Sequence, residues 1–474
     1  AEAEGNAKSI MNQRNSMSLG TSISSDVFGE VTEGNVGEFL KYLPGIEMEY
    51  VEADTRGPRL GGMDPEYTGV SLDGMKSASA DGFAVYGGTE NGGGGSGARS
   101  FSFEQVSINS IESIEIHRVT PPDLDADAPA GTIDMKSKRA FDTKGRLFRW
   151  SLSGGLNSEE FTLSRTAGPD DAYGRKVRPS ASLNYSESFL NNRLGFQIGL
   201  STSNLYNEQQ RVENTYGTSG GNRIVTQVAF KDGPKWTERR TGTITVDYKA
   251  TRRLVLSLTA MRTYYEMYAY NRISTLNFGS SQGASANLTN ARSTTATLQN
   301  GGGNINKITN GVTVTPKFEY RLNTLTIDGT AHISASKNTY GTLRRGLAGN
   351  AQTNNITGIS VEASRSDMGS SDWRVRQTGG PDWSDLANYR NPRVTDDTRY
   401  VYAEIRNAAL NARWVTPFAW PTFFKAGFKL QERLHHSDRT GTLNTYNYIG
   451  PGGGTTGSFA AYPSPFEFAP TALG

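Results

Sequence analysis

Four aspartates in the first third of the chain have the spacing of a calcium-binding loop. Asp123, Asp125, Asp127 and Asp134 stand where the carboxylate ligands at positions 1, 3, 5 and 12 of such a loop would bind the ion. The pattern is incomplete, because the glycine required at position 6 is replaced by Ala128 and the final glutamate is an aspartate. The alternative is a solvated acidic turn, and we adopt it, so no metal site is predicted.

The other residues that could catalyse a reaction or bind a metal form no set. The sequence has no cysteine and only four histidines, which excludes disulfides, thiolate zinc sites and cysteine nucleophiles. His435 and His436 are adjacent, a pattern that fits a wet loop edge at least as well as a metal site. The glycine run at residues 92–97 lacks the Lys-Ser or Lys-Thr of a phosphate-binding loop and favours a plain loop. We therefore predict no enzyme, no cofactor and no metal.

Residues suited to binding a ligand are more numerous. Trp373, Trp383 and Tyr389 lie among many Asn, Ser and Thr residues, a mixture that suits sugars and other polar organic ligands. Arg344, Arg345, Arg374 and Arg376 would equally suit an anionic metal chelate. Arg99 lies in the glycine-rich loop at residues 78–100, which would face the exterior. The alternative for each residue is an ordinary polar loop. Our candidate ligand-facing positions are Arg99, Trp373, Arg374, Trp383 and Tyr389.

Charge and hydropathy exclude two classes of protein. Lys plus Arg number 49 against 47 Asp plus Glu, so no basic excess points to nucleic acid. The densest apolar stretch, residues 254–261, falls far short of the roughly 18 residues of a membrane-spanning helix. The chain also combines 54 glycines and 10% aromatic residues with only 35% hydrophobic residues. That mixture is unusual for the core of a soluble enzyme.

Beyond about residue 146, apolar and polar residues alternate with period two. Leu194, Phe196 and Ile198, for example, interleave with Gly195 and Gln197. Each such segment holds about ten residues, the length of a tilted strand that crosses a bilayer. The pattern predicts nine strands, at about 147–157, 178–189, 193–205, 238–249, 253–265, 311–321, 324–336, 401–414 and 422–434.

The links between these strands alternate strictly between short and long. Short turns are predicted near 191–192, 250–252, 322–323 and 417–421, and long links at 158–177, 207–236, 267–310 and 338–399. Short turns on one side and long loops on the other are typical of an outer-membrane barrel. The alternative is a soluble all-β repeat protein.

The residues before this region have a different character. Residues 1–20 are polar, and we interpret them as a flexible lead-in. Residues 21–142 mix short helix and strand signals and are predicted to form one small α+β domain. Asn35 is a natural helix N-cap with Glu38 three residues later, and Pro44-Gly45 ends the helix.

Four blocks of this domain resemble the plug of TonB-dependent outer-membrane receptors, in the family's order. They are the helix that ends in Leu-Pro-Gly, the Pro-Glu-Tyr stretch with the following Leu-Asp-Gly, the Ile-Glu-Ser-Ile-Glu-Ile strand, and the Ala-Gly-Thr-Ile exit. The polar run at residues 7–14 is similar to the family's pre-plug segment. The plug residues that carry the resemblance are Asn35, Leu43, Pro44, Gly45, Pro65, Glu66, Tyr67, Asp73, Gly74, Glu115 and Gly131.

The chain departs from the family pattern in two places. The family often has Arg-Gly directly before the apolar-x-Pro-Glu-Tyr stretch, whereas this chain has Gly61-Gly62-Met63, with Arg59 two residues earlier. The family's TonB box is not recognisable in residues 1–20. Coupling to an energising partner is therefore implied by the resemblance alone.

The resemblance implies an antiparallel transmembrane β-barrel with the α+β plug in its lumen. Plugged transporters of this kind have about 22 strands, whereas only about nine are predicted here. An open sheet would leave edge strands unpaired in lipid. We therefore expect residues 143–474 to be the N-terminal part of a barrel in a longer protein.

The function implied is energised uptake of a polar organic ligand, a carbohydrate or a metal chelate such as a siderophore. The expected location is the outer membrane of a Gram-negative bacterium, spanned many times. The expected partners are the lipid bilayer and lipopolysaccharide, a TonB-type energising protein of the inner membrane and possible surface lipoproteins, but no nucleic acid. The alternative is a plugged barrel that is a structural or assembly component of an outer-membrane complex.

Overall fold

The structure is a computed structural model of the 474-residue chain. It describes residues 10–11, 20–24, 35–51, 54–81, 101–108, 111–119, 125, 127–142, 145–157, 162–166, 174–341, 347–417, 420, 422–439, 444–449, 454 and 457. Most of the predicted lead-in, the glycine run at 92–97, Asp123 and Arg99 lie outside these residues.

The N-terminal elements form a five-stranded mixed sheet, a separate hairpin and one short helix. The sheet order is β1-β6-β7-β4-β5, with β4 and β7 parallel, and β2 pairs with β3. One apolar core, which includes Phe39, Ile114 and Ile133, joins the helix to the sheet. The elements are β1 (Gly20–Ser24), α1 (Val36–Leu40), β2 (Ile46–Val51), β3 (Asp54–Leu60), β4 (Thr68–Leu72), β5 (Met75–Lys76), β6 (Ile111–His117) and β7 (Gly131–Ser137).

The predicted helix start is confirmed, whereas the helix ends earlier than predicted. The Asn35 side chain accepts a hydrogen bond from the Gly37 N–H at 2.8 Å, so it is the N-cap. The helix ends at Leu40 with Lys41 as its C-cap, and Gly45, with a φ of 76°, lies in the turn that follows. Glu38 does not complete a capping box; its carboxylate pairs with Lys41 at 2.5 Å instead.

Nine long antiparallel strands form the main path of the second sheet, as the alternation predicted. Their order is β24-β23-β18-β17-β16-β15-β12-β11-β8, so each predicted strand pairs with its predicted neighbours. These strands are β8 (Leu147–Gly155), β11 (Arg178–Phe189), β12 (Leu194–Asn207), β15 (Lys235–Lys249), β16 (Leu254–Asn277), β17 (Asn290–Leu322), β18 (Leu325–Gly341), β23 (Arg399–Val415) and β24 (Phe423–Asp438).

The long links contain more structure than the sequence predicted. β16 and β17 run on for 24 and 33 residues, and the links add hairpins that pair with their upper parts. A second apolar core lies there, here called the link core; it includes Val228, Leu276, Ile359 and Trp373. The link strands are β9 (Arg165–Thr166), β10 (Gly174–Arg175), β13 (Gln210–Ser219), β14 (Asn222–Asp232), β19 (Asn350–Gln352), β20 (Ile356–Ser364), β21 (Arg374–Gly379), β22 (Arg393–Thr395) and β25 (Thr445–Asn447).

The two faces of the nine-stranded sheet have opposite polarity. Residues that face the plug are polar and buried, such as Thr245, Thr315 and Ser334. Residues on the outer face are apolar and exposed, such as Leu258 and Ile333. A soluble sheet would bury its apolar face, so this inversion supports a lipid-facing exterior and not the soluble repeat protein. In the described part of the chain, no helix has the length and hydropathy needed to cross a membrane.

The sheet is a partial barrel in the part of the chain that the structure describes. β8 and β24 are its two edges, and no described strand joins them. The plug lies against the concave face between these edges, where hydrogen bonds tie it to β12, β15, β16, β17, β18 and β23.

Candidate functional site

A buried ionic cluster joins the plug to the barrel strands. Asp54, the first residue of β3, accepts bonds from two cations of β15: Arg239 at 2.7 Å and Lys235 at 2.9 Å. The Tyr265 hydroxyl of β16 donates to the same carboxylate at 3.2 Å. Burial alone would raise the pKa of Asp54, but Lys235 and Arg239 outweigh it and lower the pKa well below its ordinary value. Asp54 is therefore an ionised anchor of the plug.

The second half of the cluster is built around Lys307 of β17. Its ammonium bonds to Asp81 at 2.8 Å and to Glu104, both on the plug and both buried. Arg56 of β3 lies beside the same two carboxylates, 3.6 Å from Asp81 and 3.3 Å from Glu104. Arg239 links the halves, because its Nε donates to the Glu104 carbonyl at 2.7 Å.

The cluster holds four basic and three acidic side chains, all buried. Burying charge in this way is unfavourable unless every charge is paired, so the cluster is stable only with the plug in place. Its members, which we call the plug cluster, are Asp54, Arg56, Asp81, Glu104, Lys235, Arg239 and Lys307.

Arg56, not Arg59, is the plug arginine at this interface. Arg59 is 36% exposed and pairs with Glu49 at 2.5 Å on the plug's own surface. Arg56-Gly57 is itself an Arg-Gly pair, and it lies a few residues earlier in the chain than the family pattern places such a pair. Asp54 and Arg56 are two residues apart on β3 and therefore share one face of that strand. This alternation in the sequence is the signal that could have identified Arg56.

Asp73 makes a second tie to the barrel. It sits with Gly74 in the tight turn between β4 and β5, and both residues have positive φ. Its carboxylate accepts from the Ser137 N–H at 3.0 Å and from the Ser137 hydroxyl at 2.7 Å. Lys317 of β17 reaches it at 2.8 Å. Burial opposes ionisation of Asp73, but Lys317 and Ser137 together lower its pKa below the ordinary value.

The lowered pKa values of Asp54 and Asp73 predict how plug docking depends on pH. A carboxyl whose pKa is lowered by folding is protonated in the unfolded chain at a higher pH than in the folded protein. Its contribution to stability is therefore complete above about pH 4, and that contribution is lost as the pH falls through the folded-state pKa. We expect urea-induced release of the plug to become easier below about pH 4 in the wild type, and a variant with both Asp54→Asn and Asp73→Asn to lose most of that acid dependence. Proteolysis of the released plug measures this, and an equal dependence on pH below pH 4 in the two proteins would contradict it.

The plug segment that follows β5 runs beside β18. The Ala78 N–H donates to the Ser334 hydroxyl at 3.0 Å, and the Ala80 N–H donates to the Ser336 hydroxyl at 3.1 Å. The buried His332 lies next in this row, with Nδ1 2.9 Å from the Thr315 hydroxyl. This row of short hydroxyl side chains provides hydrogen-bond partners for the backbone of the plug segment. Because no large side chain stands between them, the two backbones lie close together.

A cavity of about 310 Å³ lies above the plug region, between the upper parts of β16 and β17 and the residue 386–389 turn. Amides and tyrosines line it, including Asn271, Asn304, Gln352 and Tyr389. Its one charged lining residue, Arg272, forms an ion pair with Asp232. The cavity therefore offers hydrogen-bonding groups and ring faces without a strong net charge, which suits a polar ligand.

The structure separates the ligand-facing candidates. Tyr389 lines this cavity, and its hydroxyl donates to the Trp383 carbonyl at 2.7 Å. Arg374 begins β21 and is exposed, whereas Arg99 lies outside the described residues. Trp373 is only 1% exposed, and its indole N–H donates to Asn214 at 2.9 Å. Trp373 thus belongs to the link core and is not an open ligand contact in this structure.

Removing the Trp373 side chain should loosen the links and leave the barrel intact. Trp373→Ala leaves a large void in the link core, which for a buried tryptophan costs about 3–5 kcal/mol. We expect faster proteolysis of the long links in intact membranes. Trp420→Ala is the control, because Trp420 is 80% exposed; equal cleavage of both variants would contradict the assignment.

The other plug motif residues lie within the plug, where their contacts or backbone conformation can be described. Leu43 and Pro65 are buried, and Tyr67 accepts the Ala130 N–H at its carbonyl. Glu115 lies 3.4 Å from Lys136. Gly131 has a φ of 120°, and a Cβ there would overlap the His117 carbonyl oxygen. The other plug motif residues with described positions are Asn35, Pro44, Gly45, Glu66, Asp73 and Gly74.

Among the described residues no group of carboxylates or histidines could hold a metal ion. The aspartates of the calcium-like pattern pair with lysines instead: Asp125 with Lys429 at 2.8 Å, and Asp127 with Lys76. Asp134 accepts from Ser71 at 2.7 Å inside the plug sheet. The described part of the pattern is therefore not one solvated turn, because Asp134 is buried in β7 and the other two aspartates pair with lysines.

Comparison with known proteins supports the plug assignment. Residues 12–132 match the TonB-dependent Receptor Plug Domain family, which confirms the resemblance found in the sequence. No curated protein matches the chain. Among solved structures, the chain is similar to the ferric enterobactin receptor PfeA of Pseudomonas aeruginosa (10% identity, TM-score 0.38, 84% of this chain and 63% of PfeA). It is also similar to BauA, the ferric preacinetobactin receptor of Acinetobacter baumannii (10% identity, TM-score 0.40, 91% of this chain and 60% of BauA). The chain thus spans less than two thirds of the length of these two receptors.

Proposed function

We propose that this chain, which carries a TonB-dependent receptor plug domain at residues 12–132, is the plug-bearing part of an outer-membrane receptor for energised uptake. Residues 21–142 are the plug, and residues 143–474 contribute the first strands of the barrel. Further strands close the sheet, because unpaired strand edges are not stable in lipid. The observation that carries the proposal is the plug cluster, which holds the plug against the polar face of a sheet whose other face is apolar.

The plug cluster makes the plug a gate that opens only with work. Separating the paired charges exposes four cations and three carboxylates, each of which must regain a partner or water. The free energy of ligand binding alone cannot move the ligand against its concentration gradient, so the energy for transport comes from outside the barrel. A TonB-type inner-membrane protein is the partner that the plug family implies.

The cavity of about 310 Å³ supports a polar organic ligand, a carbohydrate or a metal chelate such as a siderophore. Its amides and tyrosines suit the hydroxyls and ring faces of a sugar. Exposed arginines on the links, including Arg374 and Arg376, suit an anionic chelate. The location proposed is the Gram-negative outer membrane, in contact with lipopolysaccharide.

A disulfide that locks the plug to β18 tests the proposal. The Ala78 N–H lies 3.0 Å from the Ser334 hydroxyl, so the two backbones are close enough for the pair Ala78→Cys and Ser334→Cys. The host lacking the protein is grown on a panel of glycans and iron chelates as sole sources. We expect one source to require the wild type, and the oxidised double variant to fail on it until a reductant is added.

The single variant Ser334→Cys is the control and should grow like the wild type. Growth that is unaffected by the oxidised lock would contradict uptake through this plug. If a membrane complex is lost on deletion while uptake of every source persists, the protein is a structural component of that complex.

A further inference from the structure

A large groove lies on the outer face of the sheet, and neither the plug nor transport through the barrel accounts for it. It has a volume of about 750 Å³ and crosses β8, β11, β12, β15 and β16. Strand register puts Trp150, Leu183, Leu200, Gly242 and Arg262 in one row across these strands. The row faces away from the plug, because the adjacent Ser201 points inward to Ser107 at 3.2 Å.

The groove, which we call the outer groove, has an apolar side and a cationic side. Trp150 and Leu152 form one wall and are both exposed, and small residues such as Ala181 and Gly242 leave the floor open. Arg240, Arg262 and Tyr264 form the opposite wall. An apolar trough beside guanidinium groups fits a molecule with an acyl chain and an acidic head.

The charges around the outer groove leave a cation available. Arg240 pairs with Glu238 at 2.6 Å and stacks over the Tyr264 ring at 5.4 Å. Arg262 is exposed and forms no ion pair or hydrogen bond with the described residues. The other nearby charges are Arg178 and Glu266. Three cations therefore face two carboxylates, a local excess of one positive charge.

The depth of the arginines identifies the leaflet. Below Arg262 on β16 the outward residues Leu254, Leu256 and Leu258 are apolar, and the short turn follows at residues 250–253. Arg240 and Arg262 thus end the apolar belt on the side of the long links, which is the external side of such barrels. Arginines at that level meet lipid headgroups of the outer leaflet.

On the outer-membrane location proposed above, we propose that the outer groove binds a phosphorylated glycolipid of the outer leaflet. One acyl chain lies along Trp150, Leu152 and Leu200, and a phosphate bonds to the guanidinium groups of Arg262 and Arg240. A phosphate monoester suits this site better than a phosphodiester, because it carries up to two negative charges and three acceptor oxygens. Glu238 then shares Arg240 with the phosphate.

Native mass spectrometry of the full-length protein in mild detergent tests the proposal. Lipid A, phosphatidylglycerol and phosphatidylcholine are titrated separately, and the bound fraction is measured. We expect lipid A to bind at least tenfold more tightly than either phospholipid. Arg262→Gln should weaken lipid A binding about tenfold, as expected for the loss of one charge-assisted contact.

A second variant tests the trough without changing its charge. A Cβ at Gly242 would meet only Leu200 Cδ2, at 3.5 Å, so a side chain can start there without a backbone clash, and Gly242→Leu fills the floor. It should also weaken lipid A binding. Arg406→Gln is the matched control, because Arg406 is an outward, exposed arginine on β23, far from the groove. Equal affinity for all three lipids, or equal loss in Arg406→Gln and Arg262→Gln, would overturn the proposal.

Discussion

Asp54→Asn is expected to weaken plug docking by about 3–5 kcal/mol, the usual effect of removing one partner from a buried ion pair. The substitution keeps the shape of the side chain but leaves Lys235 and Arg239 without their carboxylate. The result should be release of the plug at a markedly lower urea concentration, with the barrel strands still folded. Protease cleavage of the plug in purified membranes reports the release.

Two further variants show whether buried charge is the cause. Glu49→Gln breaks the Arg59 pair on the plug surface, and it should change docking by no more than about 1 kcal/mol. Adding Lys235→Met to Asp54→Asn removes one of the two stranded cations and should recover part of the loss. Docking that responds equally to Asp54→Asn and Glu49→Gln would show that the plug cluster does not hold the plug.

Gly131→Ala is expected to destabilise the plug sheet by on the order of 3 kcal/mol. Gly131 begins β7 at a φ of 120°, which side chains rarely adopt, and its missing Cβ makes room for the His117 carbonyl oxygen of β6. The β6–β7 pairing must shift to accept a methyl group. Hydrogen exchange of the β6 and β7 amides should rise, and the plug should unfold before the barrel.

Gly61→Ala is the control for a positive φ without a steric contact. Gly61 also has a positive φ, of 59°, but nothing lies within 4 Å of a Cβ placed there. It should cost only about 1 kcal/mol, the penalty for the left-handed conformation alone. If both alanine variants exchange their β6 and β7 amides at the same rate, the contact with His117 has no energetic role.

The sequence predicted the nine long strands and their order well, because the signals for both are local in the chain. Alternation of period two over about ten residues, as in β12 and β15, assigns each side chain to one face of a strand. Short turns such as Asn191-Asn192 then fix the neighbours, and both of these asparagines adopt positive φ in the structure. The hairpins of the long links were missed. The signal was present for β13 and β14, which are neighbours joined by the Gly220-Gly221 turn, whereas β20 pairs with β17 from a distant part of the sequence.

The plug cluster could not be predicted in the same way. Asp54 and Arg239 are 185 residues apart, and Glu104 and Lys307 are 203 apart. Taken singly, each resembles an ordinary surface charge, and only the fold brings them together. The candidate Trp373 shows the converse: a tryptophan in a long polar link suggested an open ligand contact, but β20, β21 and Asn214 bury it. Exposure depends on those tertiary contacts, which spacing in the sequence does not encode.

The central claim, that the plug is a gate moved by external energy, is tested most directly by the accessibility of Ala80. This residue is fully buried and its N–H donates to Ser336 of β18; residues 1–474 contain no cysteine, so Ala80→Cys introduces one thiol into them at this contact. Cells that grow on the required source are treated with a membrane-impermeant maleimide, with and without a protonophore. We expect labelling in energised cells and a large decrease when the protonophore is present. Labelling that is the same in both conditions would contradict the account.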